Sequence, residues 1–334
     1  AAATRWFFFA GQAAVPFEIQ DEILLLWALK DFVTGNWDGI SYPVTRFVAS
    51  FVYIPFFGVY FAYQWLIGEI SGLADVVRSF LLYTSHATDA VSVWVWVPRF
   101  VSWLSLTISV PLQFVLVRRS IGNKSVAVLA SVLLNFSFIH LSSSFFGLPD
   151  GLGLLVFQAA LMSLLSYASS RTRLRSVIFC ALISAIILVR LQNALALLAI
   201  GLLYLILVRV RDGNATWSAM GKEAMMLAGG SIIGVVILNP LVYLSPGGIV
   251  RELSYAVTEW APSSEWDFGV HVAYLTRVIF DEVLGLELTA LVGASVIMIL
   301  LLGVKVHSVH RYLFIPLFVF ISSMAYFSEM SYET

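Results

Sequence analysis

The chain has 334 residues, 60% of them hydrophobic and 12% charged, with a formal net charge of −1; its mean hydropathy is +0.91. Soluble domains carry about a quarter of their residues charged, so half that share leaves too little polar surface to cover a globule in water. The composition excludes a soluble enzyme and a disordered chain, and the near-neutral balance offers nucleic acid no field to bind. The fold class it indicates is all-α, a polytopic transmembrane helix bundle.

In chain order, residues 6–17 are apolar but shorter than a membrane span, which takes about 20 residues. The start at Ala1 reads as a fragment boundary with a preceding helix missing. Phe17-Glu18-Ile19-Gln20-Asp21-Glu22 follows, then the helix-like ILLLWALKDFVTGNWDG and Tyr42-Pro43. The stretch 47–67 is long enough to cross a membrane but carries Pro55 and many aromatics, so it is read as lying along or dipping into the interface. Span-like runs then occupy 97–117, 125–145, 151–168, 176–190, 194–208, 224–244, 284–304 and 312–328. The whole amounts to about eight to ten spans. Residues 1–96 are taken as an N-terminal remnant and large outside loop with juxtamembrane helices. Residues 97–334 form the helical bundle, with a second outside loop at 245–283 whose Trp, Tyr and acidic residues favour interfacial helices. The single cysteine, Cys180, lies in an apolar run and reads as a small core residue.

Four alternate short loops hold Arg118, Arg119 and Lys124; Arg171, Arg173 and Arg175; Arg209, Arg211 and Lys222; and Lys305 and Arg311. Only two acids, Asp212 and Glu223, share these loops, so they are assigned to the cytoplasmic side. His140–Asp150, the Arg190–Asn193 turn and the 245–283 loop then fall on the other side.

Four groups on that side could carry chemistry. Asp21 and Glu22 stand before a helix-like stretch; they cap it favourably, or one acts as a general base whose pKa rises near lipid. Asp150, in FFGLPDG, caps the next helix or adds a second carboxylate at the same face. Arg190, between long apolar runs, is too costly to face lipid; it pairs with an acid or grips a lipid phosphate with its planar fork. Arg99, after Pro98, opens a span and is expected to snorkel to headgroups.

These residues, in this order, resemble the GT-C superfamily of membrane glycosyltransferases, specifically its protein O-mannosyltransferase and aminoarabinose-transferase branch. The matching pieces are Asp21-Glu22 with Tyr42-Pro43 downstream, PRFVSWLSLTISVPLQFVLVRRSIGNKSVAVLASVLL, LPDGLGLL and LVRLQNALALLAIGLLYLI. The similarity covers roughly residues 15–245. It implies transfer of a sugar from a polyprenyl-phosphate carrier to an acceptor on the non-cytoplasmic side, with inversion at the anomeric carbon. That side would be periplasmic, extracellular or lumenal. Asp21 would then be the catalytic base, with Glu22 assisting it or holding a divalent cation. Arg190 would stabilise the departing phosphate, and Asp150, Arg99 and Tyr42 would line the substrate site. The chain departs from the family pattern at Leu191, where a proline is common, and both ends read as incomplete.

Two other readings fit the same composition. One is a non-catalytic scaffold subunit of this fold, working with protein partners. The other is a transporter, which would place charges along a midplane path; here they gather at the outer ends.

Overall fold

Gly122 and Asn123 make a two-residue turn between two helices. The computed structural model describes residues 53–85, 93–136, 150–189 and 216–239, together with helical positions between 197 and 210 and at 247. Asp21, Glu22, Tyr42, Arg190, most of the 245–283 loop and the runs at 284–304 and 312–328 lie outside the described residues. Those that are described form helices and their connections, with no strand among them: α1 (Ile54–Leu66), α2 (Leu73–Ser85), α3 (Val93–Ile121), α4 (Lys124–Phe136), α5 (Asp150–Ser169), α6 (Arg173–Val189) and α7 (Trp217–Leu238).

Among the described residues, three helices are long and apolar enough to cross a membrane: Trp96–Ser120 within α3, Gly151–Ser169 within α5, and Ser218–Leu238 within α7. They match the expected runs at 97–117, 151–168 and 224–244. The 29 residues of α3 span about 44 Å, more than a hydrocarbon core of about 30 Å. Pro98 and Pro111 lie inside this helix, as membrane helices tolerate when neighbouring groups satisfy the freed carbonyls.

Local chemistry sets the ends. Gly122, at φ +79°, takes a left-handed conformation that closes α3. The Asn123 side chain then accepts from the backbone N–H groups of Ser125 at 2.9 Å and Val126 at 3.2 Å, capping α4. Thr216 caps α7 in the same way, through Ala219 N–H at 3.4 Å. The Arg175 guanidinium donates to Ser166 O at 2.6 Å and Ser169 Oγ at 3.1 Å, so a cation covers the open carbonyls at the end of α5.

The described helix inside 47–67 is α1, with 13 residues or about 20 Å. Gly68 at φ +80° ends it and turns the chain toward α2. An aromatic cluster fixes α1 and α2 to the start of α3. The Trp94 ring lies 4.6 Å from Phe57, 5.2 Å from Phe61 and 4.7 Å from Phe80, centroid to centroid. Such pairs contribute about 0.5–1.5 kcal/mol each beyond burial.

At the start of α2, the backbone and hydroxyl of Ser71 both donate to the Asp75 carboxylate. These bonds, the hydroxyl first, hold Asp75 below its ordinary pKa. A depressed folded value means that the contribution is complete above the unfolded pKa, near 4, and disappears as pH falls through the folded one. Amide exchange at residues 71–76 is therefore expected to speed up at pH 3 relative to pH 6 once intrinsic rates are corrected. In an Asp75→Asn variant that difference should vanish.

The packing between helices is close where small residues meet. A Cβ on Gly151 of α5 would stand 2.9 Å from Leu106 Cγ and 3.1 Å from Ser102 O on α3. Farther along, Gln158 Nε2 donates to Gln113 Oε1 at 3.1 Å. Both sets of contacts advance together along the two helices, so α3 and α5 run parallel. The pair α6 and α7 is also parallel. Cys180 lies against Gly230 and Ser184 against Gly234, and Ser184 Oγ donates to Ser231 O at 2.8 Å. The sequence of α7 here, GSIIG, puts small residues four apart on one face, the spacing by which membrane helices bring their backbones together. Ser176, Cys180 and Ser184 present the matching stripe on α6. Leu164, Phe179, Ile183 and Tyr204 complete a buried core between α5, α6 and the 197–210 stretch.

Candidate functional site

The parallel pairing gives the described helices two chemically distinct ends. The C-termini of α3 and α5 and the N-termini of α4, α6 and α7 share one end, which carries Arg118, Arg119, Lys124, Arg171, Arg173, Arg175, Arg209 and Lys222. Three of the basic loops recognised in the sequence thus come to one side of the bundle.

Glu223, in the second turn of α7, is the one carboxylate at this end among the described residues, and it is buried at 8% exposure. Arg209 Nε donates to its Oε2 at 2.7 Å, and Tyr167 Oη donates to Oε1 at 2.8 Å. Arg171 Nε approaches the same Oε1 at 3.3 Å. A single carboxylate therefore joins the end of α5, the turn after it, the 208–210 stretch and α7. Nothing in the sequence reading marked this hub; the available signal was an acid in a cation-rich loop at the head of an apolar run.

The opposite end holds the starts of α3 and α5. Arg99 lies there, 20 residues before Arg119, or about 30 Å along α3. Its side chain is buried, at 2% exposure, which corrects the expectation that it snorkels to headgroups. A guanidinium taken out of water is held by an anion or hydrogen-bond acceptors, because desolvation otherwise costs several kcal/mol. Arg99 precedes Ser102 by three residues, on nearly the same helix face, and the Ser102 carbonyl meets Gly151. Asp150, the first residue of α5, thus comes to the level of the Arg99 turn.

Of the six residues expected at the site, Arg99 and the backbone of Asp150 are described, both toward the end opposite the basic loops. Asp21, Glu22, Tyr42 and Arg190 lie outside the described residues; α6 is described to Val189, immediately before Arg190. No group of three or more His, Cys, Asp or Glu side chains gathers among the described residues. The carboxylates that could hold a cation, Asp21 and Glu22, are not among them.

Comparison with protein-family models, with curated proteins and with solved structures finds no match.

Proposed function

We propose that this chain is a multi-pass membrane glycosyltransferase of the GT-C type, which moves a sugar from a polyprenyl-phosphate carrier to an acceptor at the face away from the basic loops. The observation that carries the reading is the segregation of charge. Eight cations cluster at one end, while a buried arginine and the carboxylate-bearing start of α5 share the other. Three membrane-length helices support the bundle.

The chemistry follows from the charges. Leaving of a polyprenyl phosphate develops negative charge on its oxygen, which a fixed guanidinium stabilises. Arg190 takes that role, and Arg99 contacts the carrier. Asp21 removes the acceptor hydroxyl proton as the bond to the anomeric carbon forms and the bond to phosphate oxygen breaks. Glu22 orients Asp21 or holds a divalent cation, and Tyr42 and Asp150 contact the substrates. A carrier embedded in lipid reaches such a site sideways between helices.

The test is transfer from a polyprenyl-phosphate sugar by purified protein in lipid nanodiscs. Asp21→Asn is expected to lower turnover by about 10²–10⁴-fold, the usual contribution of a positioned base, with the amount of folded protein unchanged. Loss of folded protein together with activity would instead make Asp21 structural, and the chain a scaffold.

A further inference from the structure

At the basic end, four of the exposed cations share a pattern that the transfer reaction does not use. Arg171 and Arg209 are occupied by Glu223, and Arg175 by the end of α5. Arg119, Lys124, Arg173 and Lys222 are exposed and make no ion pair with a carboxylate among the described residues. Each has an exposed apolar side chain four positions deeper on its own helix: Val115 under Arg119, Val128 under Lys124, Val177 under Arg173 and Met226 under Lys222. Residues four apart on a helix are neighbours on its surface. Four helices therefore each present a cation above an outward apolar strip.

A cation over an apolar strip complements an amphiphile with an anionic head, and a free anion would have no use for the lower half. We propose that these four positions form a collar that binds anionic phospholipids, with the phosphates against Arg119, Lys124, Arg173 and Lys222 and the acyl chains along the strips below. The proposal rests on the membrane part of the reading above and is independent of catalysis. Arginine grips a phosphate through its planar fork, lysine as a point charge.

The experiment titrates delipidated protein in neutral detergent with phosphatidylglycerol, phosphatidylcholine of the same acyl chains, or inorganic phosphate, and reads the thermal unfolding midpoint. Phosphatidylglycerol is expected to raise the midpoint more than phosphatidylcholine, and inorganic phosphate to have no effect. Each Gln substitution among Arg119→Gln, Lys124→Gln, Arg173→Gln and Lys222→Gln should weaken the apparent phosphatidylglycerol affinity by about fivefold. Salt supplies an arm that needs no variant, since the preference in the wild-type protein should shrink as ionic strength rises. Equal shifts with both lipids, a shift with phosphate alone, or an unchanged preference in the fourfold variant would each overturn the collar. Failure of the membrane reading would look different: the protein would leave the membrane fraction on an alkaline carbonate wash.

Discussion

Replacing Glu223 by alanine is expected to destabilise the bundle by about 3 kcal/mol or more, the cost of breaking one side of a buried charge pair. The carboxylate is almost fully covered, and its removal leaves Arg209 and Arg171 facing one another with no counter-charge. The Tyr167 hydroxyl loses its acceptor as well. The two arginines are unequal partners. Arg209 is the closer and the more buried, so Arg209→Ala should cost most of what Glu223→Ala does. Arg171→Ala, at a longer and more exposed contact, should cost about 1 kcal/mol or less. A double-mutant cycle between Glu223 and Arg209, read by denaturant unfolding in detergent micelles, measures the coupling directly. Additive losses would show that the contact contributes little and that the four elements are held by packing alone.

The second large effect concerns the seam between α6 and α7. Gly234→Leu is expected to force these helices apart, because even a Cβ at Gly234 would stand 2.9 Å from Ser184 Cβ. The backbone approach that lets Ser184 donate to Ser231 O would then be lost. Overpacking of this kind costs typically about 1–3 kcal/mol, and a branched four-carbon side chain belongs at the upper end of that range. Gly230→Ala should destabilise less, since the atom it meets at 2.8 Å is the end of the Cys180 side chain. Gly229 is the control: nothing lies within 4 Å of its Cβ position. Gly229→Ala should be neutral or stabilising by up to about 1 kcal/mol, from the better helix propensity of alanine. Unfolding midpoints that rank Gly234→Leu lowest, then Gly230→Ala, then wild type and Gly229→Ala, would establish the seam. Equal midpoints for Gly229→Ala and Gly230→Ala would remove it.

The helices were largely legible in the sequence because apolar run length is a one-dimensional signal. The run at 151–168 and the helix Asp150–Ser169 coincide almost residue for residue. The run at 224–244 starts late, since Lys222 and Glu223 break the apolar pattern, yet the helix begins at Trp217. Its charge is compensated by Arg209 and Tyr167, 14 and 56 positions away in sequence, and no local pattern announces such partners. The GSIIG face and its Ser176, Cys180, Ser184 counterpart are readable as spacing, but only the fold shows that they meet. Arg99 was misjudged for the same reason. A cation at the start of a span snorkels when its helix face looks to lipid, and this one is buried at 2% exposure. Asp150 was foreseen as a helix start, and the parallel course of α3 and α5, which puts the start of α5 beside Ser102, shows only in the fold.

The most direct test of the account is an experimental structure in lipid that resolves Asp21, Asp150 and Arg190 together. The account predicts that the three side chains line one cavity, open toward the lipid and on the side away from Arg118, Arg171 and Arg209. If Asp21 stands at the basic end beside Glu223, or if no cavity joins the three, the catalytic assignment is wrong and the chain is a membrane scaffold.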